Sequence, residues 1–223
     1  MNKSQKVNFT YNKESLSILG VRGDHIISRI EKNKNFYEEE MLQAISDTSA
    51  GGYYVDVGAN IGNHTIFMAK FTNAAKVLSF EPNKLAHKYL KKNVKKNNIG
   101  NKVQLFELAL GAEEGKGSPR ITNSLNLGAS TFDISRKGRV RIAKLDDMVP
   151  LSSKVGLIKI DVEGLEAEVL KGARSTIKDN LPELFIEAQD ESMKREIEKE
   201  ILPYGYKLIK RYNFTPTYHY SAI

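Results

Sequence analysis

The sequence predicts an α/β protein organised on a doubly wound, mostly parallel sheet, and three stretches carry that reading. Tyr53-Tyr54-Val55-Asp56-Val57 runs into Gly58-Ala59-Asn60-Ile61-Gly62 and then into a helical pattern, which makes a strand, loop and helix unit. Lys76-Val77-Leu78-Ser79-Phe80 is a second β-type run, stopped by Glu81-Pro82-Asn83. A third, Val155-Gly156-Leu157-Ile158-Lys159-Ile160, ends in Asp161-Val162-Glu163-Gly164. Apolar, β-branched runs of this kind suit strands covered on both faces, and in such sheets ligands bind beyond the carboxyl ends of the strands.

A chain of 223 residues fits one sizeable domain. Residues 1–50 are expected to form a hairpin and helix belonging to the same domain as a main unit over 51–223. With no cysteine, disulfides and thiolate metal sites are excluded. No apolar run approaches the roughly 18 residues of a membrane span, and no apolar segment follows the first lysines, so a soluble, cytoplasmic protein is expected. The net charge of +7 raises the question of a nucleic-acid partner. Lys84, Lys88, Lys91, Lys92, Lys95 and Lys96, however, share a helix with an apolar stripe of Leu85, Tyr89, Leu90 and Val94, and read as its solvated face. Nucleic acid is therefore disfavoured as a partner, and the oligomeric state is left open.

Taken in order, 16–20 and 25–30 read as two short strands around Val21-Arg22-Gly23-Asp24, a hairpin. Residues 36–45 read as a helix with Glu38 to Glu40 in its opening turns, where acids suit the helix dipole. The glycine loop comes next. A dinucleotide fingerprint would need glycine where Asn60 and Asn63 stand, and Asp56 just ahead of the loop is a poor neighbour for a pyrophosphate. S-adenosylmethionine (SAM), a sulfonium and ammonium ligand without phosphate, is the better match. Asp56, Gly58, Asn60, Gly62 and Asn63 are its expected cradle, with the glycines allowing close backbone approach. Glu81, 25 residues after Asp56, stands at the tip of the second strand, where a carboxylate matches two vicinal ribose hydroxyls, with Asn83 beside it.

A further strand at 103–107 leads to Leu108-Ala109-Leu110-Gly111, where Ala109 is placed against an adenine. Residues 113–144, rich in Gly, Ser, Asn and Arg, read as an inserted β-hairpin near the site, offering Asn126, Ser130, Thr131 and Arg136 to an acceptor. After the third core strand come a helix over 165–171, a strand over 184–188 containing Glu187, a charged helix over 191–202, and closing strands at 206–211 and 217–220, one of them antiparallel. Asp56, Glu81, Asp161 and Glu163 would converge on one mouth. No Ser/His/Asp signature, phosphate P-loop or His-rich metal motif is present.

In order and spacing, Val55-Asp56-Val57-Gly58-Ala59-Asn60-Ile61-Gly62, Phe80-Glu81-Pro82-Asn83, Ala109-Leu110-Gly111, Leu145-Asp146-Asp147 and Ile158-Lys159-Ile160-Asp161-Val162-Glu163-Gly164-Leu165-Glu166 resemble the FkbM family of SAM-dependent methyltransferases. The resemblance implies a Rossmann-like methyltransferase sheet, SAM as donor, and O-methylation of a hydroxyl on a sugar, glycan or glycosylated small molecule. It implies Asp56, Gly58, Asn60, Gly62 and Glu81 around SAM, with Asp161 and Glu163 at the reaction mouth. Asp161 is the first choice of base, followed by Glu163, His64 and Glu187; Lys159, two residues earlier on the same strand face, would hold that carboxylate or the acceptor oxygen. A divalent ion is admissible but not favoured, since two acids supply too few oxygens. The competing readings are a nucleic-acid 2'-O-methyltransferase and a non-catalytic nucleotide-binding scaffold in glycan assembly.

Overall fold

A computed structural model describes residues 3–121, 130–134 and 138–222. In chain order the elements are β1 (Ser4–Tyr11), β2 (Glu14–Val21), α1 (His25–Asn33), α2 (Glu39–Asp47), β3 (Gly52–Val57), α3 (Asn63–Phe71), β4 (Ala74–Phe80), α4 (Lys84–Lys96), β5 (Val103–Phe106) and β6 (Ala109–Leu110). They continue with β7 (Gly115–Ile121), β8 (Ser130–Ile134), β9 (Val140–Ala143), β10 (Val155–Ile160), α5 (Glu166–Lys171), α6 (Arg174–Asn180), β11 (Glu183–Glu187), α7 (Glu191–Ile201), β12 (Tyr206–Tyr212) and β13 (Thr217–Ala222). Among the described residues no helix is long and apolar enough to cross a membrane.

The main sheet has the order β12-β13-β11-β10-β3-β4-β5. From β3 to β5 the chain steps outward in parallel, then returns to lay β10 on the other side of β3. That reversal is the topological switch point, where the loops after β3 and β10 diverge and leave a crevice. β13 runs antiparallel to both its neighbours, as expected of a closing strand. The sheet is buried on both faces. One core holds Tyr54, Leu157 and Phe185 with residues of α1 to α4; the other holds Val55, Ile158 and Ile186 with residues of α5 to α7.

Two expectations need correction. Residues 25–30 are helix, not strand: the Asp24 carboxylate accepts the N–H groups of Ile26 and Ile27, an N-cap that satisfies the helix's first donors, and Ile27 and Ile30 are buried one turn apart. The hairpin instead pairs β2 with β1, whose Val7 and Phe9 alternate inward. The insertion is also more than a hairpin. β7 and β8 pair antiparallel, but β9 joins β7 and pairs in parallel with β6, which makes a small four-stranded sheet.

The N-terminal hairpin is tied to α4 by two asparagine amides. Asn93 accepts from the Leu19 N–H and donates to the Leu19 carbonyl, both at 2.8 Å. Asn97 does the same for Ser17, at 3.1 and 2.9 Å. Four residues along a helix span about 6 Å, close to two residues along a strand, so the two amides stand in for a missing strand neighbour. The six lysines of α4 lie exposed to solvent.

Candidate active site

The site grows from the row of residues that the sheet register puts side by side. Ser79, Asp56 and Lys159 face one another across β4, β3 and β10. The Asp56 carboxylate accepts from Thr65 Oγ1 at 2.6 Å, and that oxygen contacts Ser79 Oγ at 2.9 Å. Its other oxygen lies 3.4 Å from Lys159 Nζ, an ion-pair contact without the alignment of a hydrogen bond. Asp56 has 0% exposure, and its side chain is held by Thr65 and Lys159.

Lys159 is 2% exposed. It donates to the Gly58 carbonyl at 3.1 Å and lies 3.5 Å from Asp161 Oδ2. Burial works against its charge, but the carboxylates of Asp161, Asp56, Glu38 and Glu187 outweigh that and hold its pKa above the ordinary lysine value. The ammonium thus fixes both strand ends, β3 through Gly58 and β10 through Asp161. It is enclosed too fully to reach an acceptor oxygen.

The loop glycines serve the fold itself. A Cβ on Gly58, whose φ is 78°, would lie 1.8 Å from the Asp161 carbonyl oxygen, and one on Gly62 would lie 2.7 Å from Leu90 Cδ1. A side chain at either position is therefore excluded by β10 or α4, while Gly58 also lines the cleft. Asn63 likewise acts within the chain: its amide accepts from the Tyr37 N–H at 3.0 Å and donates to the Tyr37 carbonyl at 2.9 Å, strapping the segment before α2 onto the loop.

On the β4 side, Glu81 accepts the N–H of Asn60 at 2.8 Å and of Asn83 at 2.7 Å, one on each oxygen. Burial pushes its carboxyl up to about 7, against the pull of those two N–H groups and of Lys159. Each oxygen retains a lone pair for a further donor. Beside it, Asn60 Oδ1 and Asn83 Nδ2 are buried and have no hydrogen-bond partner among the described residues, while Asn83 Oδ1 caps α4. Buried polar atoms are rarely left unpaired, so an orphaned acceptor and donor next to a carboxylate mark a place for a polar ligand. Ala109 is buried in β6, paired with Ile142.

On the β10 side, one oxygen each from Asp161, Glu163 and Glu187 lie within 4.8 Å of one another. Burial, then the charges of Asp161 and Glu163, push the Glu187 carboxyl well above the ordinary carboxylate range. Burial and the Asp161 and Glu166 charges lift Glu163 to about 7, against the pull of the Gln189 amide. Glu163 sits at φ 57°, a left-handed conformation, and the Glu166 carboxylate holds the turn by accepting the Val162 and Gly164 N–H groups. Such a trio could hold a divalent cation only with water or substrate oxygens completing its shell, and the Lys159 charge beside Asp161 offsets part of the cluster.

Next to these acids opens a cleft of about 520 Å³. Its floor includes Asn60, His64 and the three carboxylates, and a ring nitrogen of His64 lies 2.9 Å from Glu38 Oε2. Its walls come from places the sequence reading left out of the site: His25 and Arg29 on α1, Tyr37 and Glu38 on the strap, and Asn213, Phe214 and Thr215 in the β12–β13 turn. Only the Asp24 cap was legible as a signal for α1. Of the expected acceptor residues, Ser130 lies in β8 opposite Ile121, as Thr131 lies opposite Arg120, whereas Asn126 and Arg136 lie outside the described residues.

Residues 56–208 match the family described as the Methyltransferase FkbM domain. Over 162 residues the chain is 26% identical to Methyltransferase 1 of Beauveria bassiana (strain ARSEF 2860), covering 62% of this chain and 65% of that protein. Methyltransferase sdnD of Sordaria araneosa is 27% identical over 184 residues, covering 66% and 71%. The chain thus spans just under two thirds of the first of these relatives. Among solved structures, a methyltransferase FkbM from Methylobacillus flagellatus KT is similar with a TM-score of 0.54 and 20% identity, over 77% of this chain and 43% of that one. A precorrin 8W decarboxylase from Methanobacterium thermoautotrophicum reaches 0.55 with 14% identity, over 82% and 90%. At those identities the likeness speaks to the Rossmann-like methyltransferase fold.

Proposed function

As the chain belongs to the FkbM methyltransferase family, we propose that it is a SAM-dependent O-methyltransferase acting on a hydroxyl of a sugar or glycan. The observation that carries this reading is a buried carboxylate beside orphaned polar atoms at the edge of an acidic cleft. Glu81 lies next to the unpartnered Asn60 and Asn83 atoms, and Asn60 also lines the cleft that holds Asp161, Glu163 and Glu187. A donor with ribose hydroxyls and a separate acceptor fit these two places.

Bound there, SAM supplies a methyl group on an electrophilic sulfonium. The chain's own residues do the rest. Glu81 accepts the ribose hydroxyls, and the Asn60 and Asn83 side chains meet the adjoining polar atoms. Asp161 takes the proton of the acceptor hydroxyl as charge develops on its oxygen, and the cleft walls hold that oxygen in line. Lys159 keeps Asp161 oriented. The His64–Glu38 pair on the same floor is the second choice of base.

Glu81→Ala is expected to weaken SAM binding by about 1 to 3 kcal/mol, the cost of losing a buried charged partner. Isothermal calorimetry measures it; unchanged affinity refutes the ribose assignment, and tight NAD binding by the parent chain refutes the choice of donor. For the acceptor, methyl-labelled SAM is offered with free sugars, nucleotide-linked sugars, short glycans and capped RNA. Label is expected on carbohydrate. Label on RNA ribose supports the nucleic-acid reading instead, and SAM binding without turnover on any acceptor supports the scaffold.

A further inference from the structure

We propose that the acceptor carries an anionic group, a carboxylate or a phosphate, and that Arg29, assisted by His25, holds it at the wall of the cleft. This rests on the reading that the cleft takes a sugar acceptor. His25 and Arg29 stand four residues apart on α1, hence on one face, and both line the cleft while exposed to solvent. Neither forms an ion pair among the described residues. Among the described residues, Arg174 pairs with Glu200 and Arg141 with Glu114, so a surface arginine of this chain can be held by a carboxylate when one lies within reach. His25 makes an edge contact with the Tyr37 ring, centroids 5.6 Å apart.

Glu38, Asp161, Glu163 and Glu187 line the same cleft. His25 and Arg29 share this space with the acids without pairing to them, so the cleft offers a ligand both basic and acidic groups. A ligand with its anion at the carboxylates is repelled. A neutral ligand leaves the guanidinium unused. An acceptor with its anion at Arg29 and its reacting hydroxyl at the acids satisfies both, and a guanidinium fork matches either carboxylate or phosphate.

The walls are preformed, which reduces the ordering cost of binding. α1 is fixed by the Asp24 cap and by Ile27 and Ile30, both at 0% exposure. In the β12–β13 turn, Asn213 sits at φ 61° and donates to Thr217 Oγ1 at 3.0 Å; Arg211 donates to the Phe214 carbonyl at 3.1 Å, and Ala188 donates to the Pro216 carbonyl at 2.9 Å. This held turn leaves the Phe214 ring fully in solvent at the cleft edge, an apolar platform for the C–H face of a sugar ring.

The test compares glucose, glucuronic acid and glucose 6-phosphate as probes of the full chain with SAM present, reading binding by saturation-transfer NMR and transfer by label from SAM. At least one acidic probe is expected to bind about tenfold or more tightly than glucose, the size of one charged hydrogen-bonded contact. The two acidic arms tell carboxylate from phosphate. Arg29→Gln should bring the ratio of acidic to neutral probe down to near one, with Arg29→Lys between. Equal binding of all three probes by the parent overturns the proposal. So does an Arg29→Gln variant that keeps its acidic preference, or one whose loss falls on SAM affinity, which would give the guanidinium to the cofactor's carboxylate. If the acidic probes bind through Arg29 yet are never methylated, the subsite stands and the sugar methyltransferase reading falls.

Discussion

Asp161→Asn is expected to lower methyl transfer by about 10²- to 10⁴-fold, the usual contribution of a positioned base, while SAM still binds. Asparagine keeps the size of the side chain but cannot take a proton. The neighbouring acids do not substitute for it equally. Burial and the Asp161 and Glu163 charges raise the Glu187 carboxyl well above the ordinary carboxylate range, which favours its neutral form. Glu187→Gln should therefore retain more activity at neutral pH than Asp161→Asn, because the amide mimics the neutral form that this environment favours. Single-turnover rates with saturating SAM separate chemistry from binding. Near-normal rates in Asp161→Asn would sink the assignment, and a collapse confined to a variant of His64 would move the base to the His64–Glu38 pair.

Lys159→Met should destabilise the whole chain by about 3 to 5 kcal/mol, the cost of stranding a buried charge when its partner is removed. The partner is Asp56, which has 0% exposure and whose Oδ1 has Lys159 as its near cation at 3.4 Å. Gly58 loses its donor as well, so the β3 and β10 ends are freed together. Urea unfolding of the purified variant measures the loss, and a melting temperature lower by on the order of 10 °C should accompany it. Adding Asp56→Asn to Lys159→Met should recover part of the deficit, since the stranded charge is then gone. A single variant as stable as the parent would show that the ion pair is not what joins the two strands.

What was legible in the sequence was whatever local chemistry dictates. Strands β3, β4, β10 and β11 announced themselves as short apolar runs stopped by acids, glycine or proline, and the spacing of Asp56 and Glu81 reported one strand, loop and helix unit followed by another strand. Residues 25–30 show where local reading fails. Three isoleucines suggest a strand by propensity, yet their spacing also suits a helix, and the Asp24 cap decided for helix by satisfying the first N–H groups.

By itself, then, the sequence determined the parallel sheet, the carboxyl-end location of the acids and the identity of Glu81 and Asp161 as charged strand ends, because each follows from a pattern a few residues long. Only the tertiary structure decided what those side chains face. Register across β4, β3 and β10 enclosed Asp56 with Lys159 and Thr65. Packing against Asp161 and Leu90 gave the loop glycines a reason within the fold, since a side chain there would meet β10 or α4. The cleft beside the acids was closed by α1 and the β12–β13 turn, near opposite ends of the chain. Contacts of that kind depend on surfaces brought together over more than a hundred residues, and no local spacing encodes them.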